Sequence, residues 1–155
     1  MPDQEAMITA FEEPVAWARS LKRLSPERWL VPTAPGAWSV GGCLAHLLAW
    51  DRYLLEYRLP LIHAGAQLPA SPGDEALNGP AAAYASTISP DALIEEFAAV
   101  RGKLAAHCRT LSGAEFEAPF TINGRPFSFC AYLDMLIEHD REHQAELAPF
   151  LEAGE

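Results

Sequence analysis

Between residues 3 and 24, Met7, Ile8, Phe11, Val15, Ala18, Leu21 and Leu24 recur at three- and four-residue spacing, which puts them on one face of a helix. Pro14 predicts a kink or a restart within it, and Ser25-Pro26-Glu27 opens a new short turn. A second helix is predicted over 39–62, with Ser39 as its cap; Gly41-Gly42 in its first turn permits a close backbone approach. Residues 65–88 are rich in Pro, Gly, Ala and Ser and keep no sustained period, so they read as a long connection of the kind that often borders a binding site. Ser89-Pro90-Asp91 starts a third helix, 90–111, whose apolar stripe is Leu93, Phe97, Val100, Leu104 and Leu111. Asn123-Gly124 between FTI and RPF predicts a tight hairpin or an extended excursion within 112–128. The last helix runs from Ser128, as cap, to about Leu151, over 129–151.

Four helices of this length, partly joined by long connections and without internal repeats, specify an all-α four-helix bundle whose core can host a metal or a pocket. A chain of 155 residues forms this as a single domain, 1–155. No glycine-rich dinucleotide or phosphate loop competes with that reading.

Composition narrows the function classes. Half the residues are hydrophobic and a fifth charged, and no segment approaches the ~20 uninterrupted apolar residues of a membrane helix. The N-terminus MPDQEAMITA carries acidic residues where a secretory signal carries basic ones, so a cytoplasmic location is expected. Cys43, Cys108 and Cys130 cannot all pair within the chain and form no C-x-x-C, which favours reduced thiols. A formal net charge of −10 with scattered basic residues argues against nucleic acid and anionic membrane as partners.

The candidate chemistry lies on the last helix. His139 and His143 are ~40° apart on a helical wheel, and Tyr132, Met135, Leu136, Leu147 and Phe150 share their side, so both imidazoles face inward. Two imidazoles at i and i+4 converge well enough to bind one metal ion. His46 of the second helix is the matching third donor, because Cys43, Trp50, Tyr53, Leu54 and Tyr57 all lie within ~80° of it. On spacing alone, a metal site and a set of hydrogen-bonded core histidines fit equally well. HDREH is not a zincin motif, since Asp140 stands where the glutamate is required.

Two segments go further. AWSVGGCLAHLLAWDRYL at 37–54 resembles the DinB-like signature, in which a Trp-Ser pair opens the second helix and a histidine follows. LIEHDREHQAEL at 136–147 is similar to that family's closing H-x-x-x-H helix. The order and separation of these elements agree over nearly the whole chain. The resemblance implies an up-down-down-up bundle, often a homodimer, with a three-histidine site for zinc, nickel, iron or a related divalent metal. It carries the ligand roles to His46, His139 and His143. It also implies metal-assisted chemistry on a small-molecule substrate, as thiol transferase, isomerase or hydrolase, with a low-molecular-weight thiol or water as the activated nucleophile. The alternative is a non-catalytic metal- or small-molecule-binding stress or resistance protein.

One position departs from the family pattern. Where relatives often carry glutamine, this chain has Glu146, ~20° from His139 on the wheel. As a catalytic residue it would orient a ligand imidazole, take a proton from bound water, or complete the ligand set; otherwise it reaches solvent near the helix end. His107 reads as a partly buried packing residue that can also reach the cavity, and His63 as a surface residue. Cys43 reads as a small buried thiol one turn before His46, and Trp50, Tyr53 and Tyr57 as a cavity wall or as core.

Overall fold

Asp3 opens α1 (Gln4–Ser20) by accepting the Glu5 N–H on its side chain, and Ile8, Phe11, Pro14 and Ala18 form the buried face. The structure, a computed structural model, describes residues 3–153, and of Asp74 and Glu75 the backbone alone. The helix does not restart at Pro14; it runs through it and tightens into a 3₁₀ turn over Leu21–Arg23. A short α2 (Pro26–Trp29) follows, as the Ser-Pro-Glu start predicts.

Ser39 caps α3 (Val40–Tyr53), its Oγ accepting from Gly42 N–H. The close approach read from Gly41-Gly42 is made by the Trp29 indole, whose Nε1 would lie 2.6 Å from a Cβ at position 41. Downstream the helix departs from the predicted 39–62 stretch. Residues Leu54–Arg58 form a π turn, closed by Leu59 N–H on the Leu54 carbonyl, before α4 (Leu59–His63). Pro60 sits just after this turn, and a proline ring crowds the carbonyl four residues back, which the wider turn relieves. The extra residue in that turn retards every later side chain by roughly 100° relative to the α wheel. Tyr57, placed beside His46 by the wheel, is therefore 63% exposed, and Arg58 turns inward.

The connection 65–88 is not structureless. It contains α5 (Asp74–Tyr84), which packs on α3 through small residues, Ala81 and Ala85. Ala contacts interrupted by Gly79 and Pro80 give no apolar stripe, which is why periodicity missed this helix. Ser89 caps α6 (Pro90–Thr110), and a capping box of Ser112 and Glu115 starts α7 (Gly113–Glu117), likewise unforeseen. The Asn123-Gly124 turn has φ of 52° and 76°, the two positive angles of a type I′ hairpin. It joins β1 (Phe120–Ile122) to β2 (Arg125–Phe127), with Phe120 opposite Phe127. Leu68, from the long connection, bridges to Ile122 of this hairpin. Finally Ser128 caps α8 (Phe129–Glu152).

Cross-helix pairs fix the directions of the long helices. Arg109 meets Glu5 and Arg19 meets Glu95, so α1 and α6 are antiparallel. Arg52 pairs with Glu96 and His63 with His107, so the α3–α4 rod and α6 are parallel. Arg58 meets Tyr132 while His46 meets His143, so α8 opposes α3. The order is up-down-down-up, and the long 64–89 connection exists because two parallel helices require the chain to travel back the bundle's length.

At the centre Arg101 of α6, 1% exposed, ties all four long helices together. Its Nε and Nη2 donate to Asp51 of α3 at 2.7 and 3.0 Å, and its Nη1 donates to Asp140 of α8 at 2.7 Å and to the Phe11 carbonyl of α1 at 2.9 Å. Phe11 and Phe97 pack against the guanidinium faces at 4.1 and 5.0 Å.

Candidate metal centre

The i,i+4 spacing on α8 brings His139 and His143 together with their Nε2 atoms 3.1 Å apart. His46 faces them from α3, with ring centroids 5.3 Å from His139 and 4.9 Å from His143. One ligand nitrogen from each ring lies within 4.8 Å of the other two. A tetrahedral ion with ~2.0–2.1 Å bonds to nitrogen sets N···N separations of ~3.3–3.4 Å, so the three need move at most about 1.5 Å to close on one. The donor set, all imidazole, suits zinc, nickel, copper or iron, and three protein ligands leave a position for water or substrate.

The second ring nitrogens show which tautomers are present. Asn78 Oδ1 lies 2.7 Å from His46 Nδ1 and 3.2 Å from Trp50 Nε1. An indole nitrogen only donates, so the Asn78 atom it meets is the carbonyl oxygen, and His46 Nδ1 must carry the proton. Nε2 of His46 then holds the ring's lone pair. The same logic applies to His143, whose Nδ1 lies 3.2 Å from Glu146 Oε2. A carboxylate only accepts, and the lone pair falls on Nε2, the atom directed at His139. Burial, reinforced by the neighbouring His143, holds His139 below the usual histidine range, which keeps it neutral at pH 7. Neutral imidazole is the form that binds a metal; in the 3.1 Å contact made without one, His139 Nε2 donates to His143 Nε2.

The triad opens on two cavities. One, of about 400 Å³, is walled by Trp38, Trp50, Met135 and Leu136 and also bears Arg58, Ser71 and Tyr132. The other, of about 610 Å³, lies between the 33–38 segment and the end of α8; Trp38 and His143 line both. Trp38 rests on His46 at 4.6 Å between ring centroids, which restricts that imidazole from the solvent side.

The remaining sequence candidates divide. Glu146 reaches His143 rather than the His139 that the wheel favoured, its Oε2 3.2 Å from Nδ1, and its side chain is 68% exposed. Cys43 borders the second cavity beside His143 and Glu146, but burial, with the charges of Glu146 and Asp140, pushes its thiol up to about 12, so it stays protonated. His107 does not line the triad's cavity; it meets the exposed His63, Nε2 to Nε2, at 2.9 Å. Trp50 walls the cavity, whereas Tyr53 and Tyr57 flank a separate groove with Tyr84. Asn78 was missed because it belongs to α5, which has no periodic signal, and Arg58 because the π turn moves it off the wheel. Asn78→Ala is expected to keep the fold and weaken zinc binding by about 10–100-fold, measured by competition with a chromophoric chelator.

Among the described residues, no helix is long and apolar enough to cross a membrane. A sequence profile of the DinB superfamily matches residues 13–147. Among solved structures, YfiT from Bacillus subtilis is similar, with a TM-score of 0.75 and 19% identity over 97% of this chain and 86% of that one. That protein is described as a probable metal-dependent hydrolase with an unusual four-helix bundle topology; at this identity the likeness concerns the fold. No curated protein matches the sequence.

Proposed function

Since this chain belongs to the DinB superfamily, we propose that it is a metal-dependent enzyme in which His46, His139 and His143 hold a divalent ion that activates water or a low-molecular-weight thiol against a small substrate. The observation that carries this reading is that two of the three imidazoles are fixed from behind, by Asn78 and by Glu146, in the tautomer that presents Nε2. An ion on three neutral donors keeps its full charge and, when bound, supplies Lewis-acid activation of water or of a thiol near neutral pH.

The protein's own residues do the rest. Trp38, Trp50, Met135 and Leu136 present an apolar wall that holds the non-reacting part of a substrate and displaces water from the histidines. Asn78 keeps His46 from rotating. Glu146 accepts the Nδ1 proton of His143 and so holds that ring with Nε2 toward the site. Burial holds Cys43 as a thiol in the metal-free chain, and we assign the sulfur nucleophile to a second substrate.

The test is a screen of ester, amide and electrophile-plus-thiol substrates with zinc- or nickel-loaded protein, set against His139→Ala. Turnover that requires both the metal and His139 supports the enzyme; tight metal binding with no turnover in any class supports the non-catalytic alternative. Glu146→Gln is expected to retain the fold and most of the metal affinity while shifting the pH profile of turnover, because one acceptor oxygen remains and the charge does not. An unchanged pH profile would make Glu146 an ordinary helix-end residue.

A further inference from the structure

A buried positive charge in the first cavity plays no part in holding a metal. Arg58 is 3% exposed and lines the same cavity as the three histidines. Its Nη1 donates to the Tyr132 hydroxyl at 2.6 Å and its Nη2 to Ser71 Oγ at 2.7 Å. Its buried Nε has no hydrogen-bond partner, and no carboxylate among the described residues pairs with it. The guanidinium carbon lies 4.9 Å from the ring centre of Tyr53 and 5.5 Å from that of Tyr132. Neutral hydroxyls and ring faces offset only part of the cost of taking a full charge out of water. Arg101, equally buried, shows the usual solution, since two carboxylates meet it.

The backbone is built to place Arg58 there. On an unbroken α-helix it would lie about 120° from His46, pointing away from the triad. The π turn over Leu54–Arg58 rotates it back by roughly 100°, onto the histidine side. Its contact Tyr132 stands seven residues before His139 on α8, which is about 10 Å along the helix.

We infer that Arg58 is the anion-recognition residue of this cavity, and that the substrate carries a carboxylate-type oxyanion on the order of 10 Å, across an apolar stretch, from the group that reaches the histidines. The Ser71 hydroxyl occupies a place that an anionic oxygen takes on binding, and the apolar wall covers the stretch between. The orientation of the substrate rests on the metal-centre reading; capture of the anion does not.

The experiment uses the full chain freed of metal with a chelator, so that no ion attracts the anion. Binding of 4-phenylbutyrate and of its neutral amide is measured by titration calorimetry. The wild type is expected to bind the carboxylate at least ~10-fold more tightly than the amide. Arg58→Gln is expected to erase that preference while leaving amide binding and zinc affinity unaltered. Equal or undetectable affinity for the two probes in the wild type, or a preference that survives Arg58→Gln, overturns the inference. If Arg58→Gln melts below the working temperature, Ser71→Ala decides: a tighter carboxylate with unchanged amide supports Arg58, and no change or a parallel change refutes it. Loss of the preference in His139→Ala would assign the anion to the imidazoles and also refute it. Failure of the wild type to bind zinc, with the carboxylate preference intact, would sink the metal centre and leave Arg58 standing.

Discussion

Arg101→Met is expected to be the most damaging single substitution in the core, costing about 3–5 kcal/mol at pH 7, or a melting temperature lower by about 10 °C or more. The reason is not the loss of attraction alone. Removing the guanidinium leaves Asp51 and Asp140 buried and facing each other without a cation, and takes a side-chain donor from the Phe11 carbonyl. Burial already outweighs Arg101 in holding the Asp51 carboxyl above the ordinary range, and without Arg101 that effect is unopposed. A carboxyl whose folded pKa exceeds its unfolded one binds its proton more tightly when folded, so stability falls as pH rises through that interval. The deficit of Arg101→Met should therefore be small near pH 4–5 and grow toward pH 7. A triple variant in which Asp51 and Asp140 also become Leu should regain most of the loss. Chemical denaturation of the three proteins at both pH values measures this; an equal deficit at both would show that the buried charges are not its cause.

The second large effect is expected on metal affinity. His139→Ala and His143→Ala each remove one of three donors, and each should weaken zinc binding beyond the 10–100-fold that losing a supporting contact costs. The fold should survive, since both residues sit at the cavity edge rather than in the core. Chelator competition gives the affinities and a thermal melt the fold. Wild-type affinity in either variant would exclude that histidine as a ligand.

What the sequence makes legible follows from what its periodicity encodes. The long helices and their caps are readable because a stripe such as Ile8, Phe11 and Ala18, or a start such as Ser89-Pro90, is a local signal. The inward face of His139 and His143 is legible from their i,i+4 spacing among apolar residues, whereas it is the family resemblance that joins His46 to them as a ligand set. The Asn123-Gly124 turn reads directly, since so few residues accept positive φ in succession. Other features depend on contacts between distant segments. Asn78 matters only through His46 and Trp50, and nothing near it in the chain marks it. Arg101 and Asp140 have the sequence appearance of solvated helix charges and are buried because each neutralises the other. Arg58 and Tyr57 exchange places because one π turn, prompted by Pro60, breaks the rotation on which the wheel relies.

In the proposed centre three imidazoles, and no other side chain among the described residues, hold the ion. X-ray absorption at the zinc edge of the loaded wild-type protein tests it directly. The expected spectrum shows three imidazole shells with nitrogen at ~2.0–2.1 Å and the remaining position filled by oxygen. Fewer than three imidazoles, or a sulfur scatterer near ~2.3 Å that would draw Cys43 into the ligand set, would contradict it.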